Sequence, residues 1–377
     1  MTDAPFLPFT RPVLSEETYR EVEAVLRSGW LTTGPRVAQF EKDLSSYFGG
    51  RQVRCLSSAT AGLQLALLAL DLKPGDEVIT TPLTFVATLN TIVQAGGKPV
   101  LVDIDPVTRN MDVTRIEPAI TPRTRAIVPV HYAGLPVELD VVYAMAKKHN
   151  LRVVEDCAHA IGTEYKGKKL GSFGDIQVMS FHPNKNMTTG EGGAVVTDDK
   201  DVLKRIEQLR FHGIDREAFN RFGKSGSQHY DVVLPGFKYN MMDIQAAIGL
   251  HQLPMLDGFI TARKAWVERY RERLATIPHI TLPGAPEFAH RHAWHILTVL
   301  VPERDAFIDK MKERNIGVGL HWDAPHLFSY YRKTFGFKEG DFPHAEHACA
   351  HICSLPLFPT MTEADFERVI KATQDCL

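Results

Sequence analysis

The sequence predicts an α/β protein whose mostly parallel seven-stranded sheet is flanked by helices and followed by a small C-terminal α+β domain. Short runs rich in valine and isoleucine recur between residues 53 and 197, separated by stretches long enough for helices. Strands of this kind are typical of a parallel sheet covered on both faces. The length of 377 residues also exceeds what one hydrophobic core usually supports. We therefore expect a large domain over residues 1–252 and a small one over residues 253–377.

The elements of the large domain are predicted in the following order. A helix covers Ser15 to Ser28, with Ser15 as its N-cap and Gly29 as its stop signal. Seven strands follow, at Val53–Leu56, Glu77–Thr80, Pro99–Val102, Ala126–Val130, Arg152–Glu155, Ile176–Ser180 and Ala194–Thr197. The polar stretch from Phe211 to Val233 predicts a long surface loop, and a helix, MMDIQAAIGL, follows Asn240.

The small domain begins where QLPMLDG interrupts the helical pattern. A long charged helix is predicted over Gly258 to Ile277, then a strand within HAWHILTVLV, then a helix over Arg304 to Asn315. These elements predict a compact α+β unit.

Composition and charge narrow the class of protein. A hydrophobic fraction of 44% and a charged fraction of 23% are ordinary for a soluble globular chain. The net charge of −2 argues against a nucleic-acid surface, which requires a basic domain. We find no signal segment and no apolar run of the roughly 18 residues that span a membrane. Five cysteines without a CxxC pair suit a reducing compartment, so we expect a cytoplasmic protein that binds neither nucleic acid nor membrane.

Polar side chains follow the apolar strand Ile176–Ser180. Ser180, His182 and Lys185 come where this strand ends and a glycine-rich return begins. Burial lowers the pKa of a lysine and makes its amine nucleophilic, as a Schiff-base lysine requires. Asp156 ends the preceding strand, so both side chains can reach one edge of the sheet. A carboxylate there can keep the ring nitrogen of pyridoxal phosphate (PLP) protonated.

A third segment predicts a seat for the phosphate. Residues Ser57 to Gly62, SSATAG, are small and open the apolar helix LQLALLAL. Free backbone N–H groups at a helix N-terminus bind phosphate. The phosphate loop, the aspartate and the lysine therefore follow one another along the chain.

Seven motifs resemble the DegT/StrS family of PLP-dependent sugar aminotransferases, which have fold type I. They are SGWLTTGP, SSATAGL, GDEVITTPLTFVATLN, VPVHYAG, VVEDCAHAIGT, SFHPNKNMTTGEGGAVVTDD and PGFKYNMMDIQAAIGL, and they cover most of the chain. Three C-terminal motifs, HAWH, GVGLHW and CSLPLFPTMT, resemble the branch that forms UDP-4-amino-4-deoxy-L-arabinose for lipid A modification in lipopolysaccharide biosynthesis. The resemblance implies PLP as cofactor, glutamate as amino donor leaving 2-oxoglutarate, and a 4-keto nucleotide sugar of the UDP-4-keto-pentose type as acceptor.

The resemblance also implies cofactor roles for residues of this chain. Lys185 is the catalytic lysine that holds PLP, Asp156 keeps the ring nitrogen protonated, and His159 lies against the ring or its 3-oxygen. The remaining cofactor residues are Thr60, Ala61 and Ser180 at the phosphate, Phe85 stacked on the ring, and Asn240 at the phosphate of the partner subunit. From residue type alone, Phe85 also suits the core and Asn240 also suits a helix cap. The role of Asn240 requires a homodimer with shared active sites.

Four residues are candidates for contact with the substrate: Trp30, Thr32, His182 and His321. By resemblance the loop 30–35 borders the sugar site, although a turn with a packed indole fits the same residues. The two histidines, and Trp322 beside the second, equally suit structural roles. A diphosphate needs cations, and Arg221 and Lys224 in the polar loop are candidates.

Other interpretations stay open at this point. His344, His347 and His351 share one helical face, as zinc ligands can; a solvated face is simpler, the resembled family uses no metal, and we expect none. The acceptor can be another keto sugar, such as a UDP-4-keto-6-deoxy-N-acetylhexosamine, or the chain can be a non-catalytic PLP-fold regulator. Lys185 argues against a sugar 3-dehydratase, because those relatives carry histidine in its place.

Overall fold

The computed structural model describes residues 5–215 and 230–377. The strands are β1 (Val53–Leu56), β2 (Glu77–Thr80), β3 (Lys98–Leu101), β4 (Thr124–Ile127), β5 (Arg152–Cys157), β6 (Glu164–Tyr165), β7 (Lys168–Lys169), β8 (Ile176–Ser180), β9 (Gly193–Val196), β10 (His290–Arg291), β11 (Leu297–Leu300) and β12 (Ile352–Leu355). The α-helices are α1 (Glu16–Ser28), α2 (Pro35–Tyr47), α3 (Ala59–Ala69), α4 (Val86–Gln94), α5 (Ile116–Ala119), α6 (Leu139–His149), α7 (Lys200–Leu209), α8 (Asp243–Gln252), α9 (Leu256–Leu274), α10 (Arg304–Glu313), α11 (Ser329–Phe335), α12 (Pro343–His351) and α13 (Glu363–Cys376).

Seven strands form the central sheet, in the order β1–β9–β8–β5–β4–β2–β3. Neighbouring strands are parallel except at β9, which runs antiparallel to both β8 and β1. The predicted mostly parallel seven-stranded sheet is therefore confirmed. Because β1, β2, β4, β5 and β8 run in one direction, they all end at the same edge, which is where sheets of this kind bind ligands.

The strand bounds agree closely with the apolar pattern. β1, β2 and β8 have the predicted bounds, β3, β4 and β9 begin one or two residues earlier, and β5 continues to Cys157. The larger difference is at β4, which ends at Ile127 although the apolar run continues to Val130. Val128 and Val130 are buried but make only isolated backbone contacts with the neighbouring strands. An apolar pattern reports burial, whereas a strand is defined by regular pairing.

Helices cover the sheet on both faces. Leu65 and Leu67 of α3 are fully buried, and each such side chain stabilises the fold by about 1.5–3 kcal/mol. A Cβ atom on Gly62 would lie 2.6 Å from Val178, so glycine allows α3 to lie close to β8. The start of α3 is thereby held beside the end of β8.

The predicted helix caps of α1 are observed. The Ser15 hydroxyl accepts the N–H of Thr18 at 3.4 Å, and Gly29 ends the helix with a φ of 72°. The left-handed conformation at Gly29 is one that glycine adopts without steric cost.

The C-terminal part has a core of its own around the antiparallel pair β11–β12. Tyr270 of α9, Phe307 of α10 and Phe366 of α13 are buried there. Leu7 shares this core, because the N-terminal segment pairs with Ile316.

The helical pattern breaks where the domain boundary is predicted. A short 3-10 turn, Leu253–Met255, separates α8 from α9. The two parts of the chain also share a small sheet, since β10 pairs with β6. A division at residue 252 therefore stays a prediction.

The polar loop is described only at its two ends. Phe211 pairs with Lys238, and Ile214 pairs with Val232. The candidate diphosphate residues Arg221 and Lys224 lie outside the described residues. In the residues that the structure does describe, no helix has the length and apolar character that a bilayer crossing requires.

Candidate active site

A cavity of about 240 Å³ lies at the edge where β1, β2, β5 and β8 end. Six predicted cofactor residues line it: Thr60, Phe85, Asp156, His159, Ser180 and Lys185. Two predicted substrate residues, His182 and His321, line it as well. Four other predicted residues, all within the described ranges, lie outside its wall: Trp30, Thr32, Ala61 and Asn240. Segments far apart in sequence thus meet in one cavity.

Lys185 lies on the turn that follows β8. This strand is buried along its whole length, and a hydrogen bond of 2.9 Å from the Lys185 N–H to the His182 carbonyl oxygen forms the turn. Burial lowers the pKa of the Lys185 amine to about 8, although the Asp156 carboxylate opposes the shift. An appreciable fraction of the amine is therefore unprotonated near neutral pH, as a nucleophile or a base requires.

The Asp156 carboxylate is buried at the end of β5. Thr88 Oγ1 donates a hydrogen bond to Oδ2 at 2.8 Å, and the Ala158 N–H donates to Oδ1 at 3.1 Å. Thr84 Oγ1 lies 2.8 Å from Thr88 Oγ1, which orients the second hydroxyl. Burial raises the pKa of Asp156 even though these bonds and the charge of Lys185 oppose the rise. A cationic N–H in the cavity would stabilise this carboxylate.

The N-terminus of α3 borders the same cavity. Ser58 caps the helix, since its hydroxyl accepts the Ala61 N–H at 3.1 Å. The Ala61 N–H therefore has a partner within the chain, and its contact with a phosphate stays a prediction. Thr60 is exposed to the cavity. A Cβ atom on Gly193 would lie 2.5 Å from the Ala59 nitrogen, so glycine in β9 allows the helix to start against the sheet.

His159 lines the cavity, and one of its ring nitrogens has a partner within the chain. Its Nδ1 accepts the Ala133 N–H at 3.2 Å, which places the proton of the neutral ring on Nε2. The ring stacks on Trp322, with centroids 5.0 Å apart and planes 28° apart. Burial, together with the charge of Lys185, holds the pKa of His159 well below its usual value. The neutral ring is therefore the stable form.

Phe85 and Trp322 form an aromatic wall. Phe85 is 53% exposed just before α4, so the alternative that it is a core side chain is wrong. Its ring centroid lies 6.0 Å from that of Trp322, which in turn stacks on His159. The stacking of Phe85 on a cofactor ring stays a prediction.

The two cavity histidines among the substrate candidates differ in environment. His321 is buried, its Nδ1 lies 2.8 Å from Ser354 Oγ, and burial lowers its pKa to about 3. His182 is exposed, and its Nδ1 lies 2.7 Å from Asn184 Oδ1. His321 is therefore a neutral, fixed wall residue, whereas His182 lies at the opening.

Asn240 lies outside this cavity. Its Nδ2 donates to Thr33 Oγ1 at 2.5 Å, and its Oδ1 accepts from Lys238 Nζ at 2.7 Å. The helix that follows begins at Asp243 with Met242 as its N-cap, so the alternative that Asn240 caps this helix is wrong.

Trp30 and Thr32 lie beside Asn240 rather than beside the lysine. The Trp30 indole N–H donates to the Thr33 carbonyl oxygen at 3.1 Å, and the Thr32 carbonyl oxygen accepts the Asp243 N–H at 3.2 Å. The predicted substrate residues thus fall into two groups, one in the cavity and one on the loop before α2.

The wall of the cavity fits PLP. Thr60, Ser180 and the start of α3 suit a phosphate, and the Lys185 amine suits an aldehyde. The buried Asp156 carboxylate is the group that a protonated ring nitrogen would satisfy. Donor set and charge therefore agree with the predicted cofactor.

Sequence reasoning missed Thr88 and Glu191. Thr88 follows Thr84 by one helical turn, a spacing that places two hydroxyls on one face just past a strand end. Only the fold reveals that this face meets Asp156. Glu191 lines the cavity near His182, with an Oε1 to Nε2 distance of 3.8 Å, and no pattern in the sequence points to it.

The histidine strip on α12 makes internal contacts. His351 Nδ1 lies 2.8 Å from the His347 carbonyl oxygen. In the part of the chain that the structure describes, the one group of clustered ligand atoms is His131, Glu155 and Cys157. His131 Nε2 lies 2.9 Å from Glu155 Oε2, and this buried pair satisfies both groups without an ion.

The chain is similar to known proteins over nearly its whole length. The profile of the DegT/DnrJ/EryC1/StrS aminotransferase family matches residues 12–374. The chain is 43% identical to the spore coat polysaccharide biosynthesis protein SpsC of Bacillus subtilis, over 98% of this chain and 97% of SpsC. Among solved structures, Spr1654 from Streptococcus pneumoniae in its PLP form superposes with a TM-score of 0.89 at 32% identity, over 99% of this chain and 100% of that one. Helicobacter pylori PseC, an aminotransferase involved in the biosynthesis of pseudoaminic acid, superposes with a TM-score of 0.90 at 29% identity, over 99% of each chain.

Proposed function

The chain belongs to the DegT/DnrJ/EryC1/StrS aminotransferase family and uses PLP, and on this basis we propose that it transfers the amino group of glutamate to a 4-keto nucleotide sugar. The observation that carries the proposal is the meeting of Lys185, Asp156 and His159 in one cavity. It combines an amine of lowered pKa, a buried carboxylate and an N–H donor. Exchange of an amine for a carbonyl requires groups of these kinds.

Lys185 has two roles in this proposal. Bound PLP supplies an electron-withdrawing ring that stabilises negative charge on the carbon that loses or gains its proton. Lys185 would hold PLP through Nζ until the amino donor takes its place on the cofactor, and the free Lys185 amine would then accept that proton at Nζ and return it. A pKa of about 8 suits both directions of transfer near neutral pH.

The other residues bind and orient. Asp156 accepts the N–H of the ring nitrogen, and Thr88 holds the carboxylate in place at 2.8 Å. His159 would donate from Nε2 to an oxygen on the cofactor ring. Thr60 at the start of α3 and Ser180 at the end of β8 would hold the phosphate, and Phe85 would cover the ring.

The acceptor is proposed from the relatives and the C-terminal motifs. SpsC functions in polysaccharide biosynthesis, which supports a sugar as the acceptor. The motifs HAWH, GVGLHW and CSLPLFPTMT favour the UDP-4-keto-pentose type, as in formation of UDP-4-amino-4-deoxy-L-arabinose. A second candidate is another keto sugar, such as a UDP-4-keto-6-deoxy-N-acetylhexosamine, because the chain also resembles PseC, an aminotransferase of a different biosynthesis, that of pseudoaminic acid.

We also propose a cytoplasmic homodimer in which Asn240 reaches the PLP phosphate of the partner subunit. Its support is that Asn240, Thr33 and Trp30 are held together by hydrogen bonds but lie outside the cavity of their own subunit. Residues in this position contribute to catalysis only if they border the active-site cavity of a second subunit.

The test is a substrate panel on the purified, PLP-loaded protein. Glutamate alone should change the visible absorbance of bound PLP and release 2-oxoglutarate. Each nucleotide keto sugar is then offered to the glutamate-treated protein, and recovery of the original spectrum identifies the acceptor. An unchanged spectrum with every amino donor would overturn the proposal and favour a non-catalytic regulator.

A further inference from the structure

His295 is a buried histidine with no place in the proposed reaction. It precedes β11 and is 2% exposed. Neither of its ring nitrogens has a hydrogen-bond partner among residues 5–215 and 230–377. An unpaired polar group in a core destabilises the folded protein, so a phenyl ring would occupy this site at lower cost. The role of the His295 ring must therefore be sought in the residues that it contacts.

The contacts of His295 lead to His159. The two ring centroids lie 4.2 Å apart, with the planes tilted by 51°. Ala133 joins the two residues, because its N–H donates to His159 Nδ1 at 3.2 Å and its carbonyl oxygen accepts the His295 N–H at 3.1 Å. Ala133 has a φ of 57°, a conformation that costs energy in a residue other than glycine. The backbone is strained at the peptide that sets the tautomer of His159.

The charges around His295 keep it neutral. Lys185 and Arg263 act on it as cations, His159 and His321 are the neighbouring imidazoles, and Arg263 Nη1 also donates to the His295 carbonyl oxygen at 3.0 Å. Burial and these neighbours hold the pKa of His295 well below its usual value. Because both rings are neutral and His159 Nδ1 accepts a hydrogen bond, the single ring proton of His159 is on Nε2.

We propose that His295 is a positioning residue for the cofactor: it holds the ring of His159 so that Nε2–H faces the cavity and donates to PLP. Because His295 does not line the cavity, it acts only through His159. The inference depends on PLP binding and on the proposed cofactor contact of His159, and it does not depend on which sugar is the acceptor.

The decisive variant is His295→Ala, which removes the ring that contacts His159, followed by two measurements. The apo-protein should melt at a lower temperature, because loss of the ring leaves a cavity in the core. The dissociation constant for PLP should rise about tenfold, because the His159 ring is no longer held in its productive orientation. The visible absorbance of bound PLP, followed against pH, should shift as well. A lower melting temperature with unchanged PLP affinity would overturn the proposal and assign His295 to packing.

Two controls distinguish an effect on PLP binding that acts through His159 from a general loss of stability. In a His159→Gln background, His295→Ala should leave the PLP dissociation constant unchanged, whereas a further loss of the same size would show that His295 does not act through His159. His326 is another fully buried histidine, but its Nε2 lies 3.0 Å from Glu346 Oε1 and it is outside the cavity wall. His326→Ala should lower the melting temperature and leave PLP affinity unchanged. A loss of affinity in that control equal to the loss in His295→Ala would also refute the proposal.

Discussion

Replacing Asp156 by asparagine is the sharpest test of the proposed active site. The substitution keeps size and shape but removes the charge. The Ala158 N–H can still donate to the amide oxygen, and the Thr88 hydroxyl can turn to accept from the amide nitrogen because Thr84 is 2.8 Å away to receive its proton. The local structure should therefore survive, and the change isolates the electrostatic role of the carboxylate.

The expected loss of kcat follows from the burial of Asp156. Asp156 is 6% exposed, so a ring cation that it pairs with is also shielded from water. Leaving one partner of a buried charge pair alone costs about 3–5 kcal/mol. If this cost falls on the transition state, kcat drops by roughly two to four orders of magnitude. PLP should remain bound, because the lysine and the phosphate seat are unchanged.

The same substitution should increase the stability of the apo-protein, although it lowers kcat. Burial raises the pKa of Asp156 in the folded state above its value in the unfolded chain, so at pH values above that raised pKa the ionised carboxylate favours unfolding. Asparagine carries no charge, and the apo-variant should therefore be more stable than the parent near neutral pH. The difference should shrink as the pH falls through the raised pKa of Asp156.

The assay is the single-turnover rate of the amino-donor half-reaction by stopped-flow absorbance, paired with thermal melting of the apo-proteins as a function of pH. Asp156→Glu serves as the matched variant that keeps the charge and moves it. A near-parental rate for Asp156→Asn would refute the electrostatic role. An apo-variant less stable than the parent at neutral pH would refute the account of its burial.

Three further predictions concern Lys185, Thr88 and Asn240. Lys185→Ala should reduce turnover below detection while the fold persists, and borohydride reduction followed by peptide mapping should no longer link PLP to the chain; a label at another lysine would reassign the residue. Thr88→Val removes a buried bond to a carboxylate worth about 1.5–3 kcal/mol and should lower kcat roughly ten- to a hundredfold, with recovery in Thr88→Ser; equal rates in both variants would contradict the role of the hydroxyl. Asn240→Ala should weaken PLP binding, measured by equilibrium dialysis, in the dimer and not in dilute monomer, and unchanged affinity in the dimer would confine Asn240 to its bonds with Thr33 and Lys238.

The sequence predicts the sheet well because burial leaves a strong pattern. Runs such as Ile176–Ser180 are apolar at consecutive positions only when both faces are covered, and their ends therefore mark the edge where polar residues gather. This pattern predicts Lys185 and Asp156 at one edge of the sheet, and both side chains line the same cavity. Parallel strands make this step possible, since neighbouring ends coincide.

Contacts that depend on the tertiary fold are not visible in the same way. The sequence around Thr88 does not indicate that its hydroxyl donates a hydrogen bond to a carboxylate on a distant strand. The Ala61 N–H looks available as a helix-start donor until the geometry shows it bonded to Ser58. Trp30 and Asn240 share motifs with the family, but a motif does not say on which subunit's cavity a residue acts. His295 belongs to the HAWH motif, yet its significance rests on two ring nitrogens without a hydrogen-bond partner in the described part of the chain, which only the tertiary structure shows.

Gly193 packs against the start of α3 and so connects the segment that carries Lys185 with the proposed phosphate site. The segment that carries Lys185 leaves the sheet at the end of β8 and returns through β9, whose first residue packs directly on the Ser58–Ala59 backbone. Any displacement of that return would push on the backbone at the start of α3, so the strand pair fixes the spacing between the Lys185 segment and the proposed phosphate site. A single methyl group added at position 193 would alter that spacing without touching either chemical group.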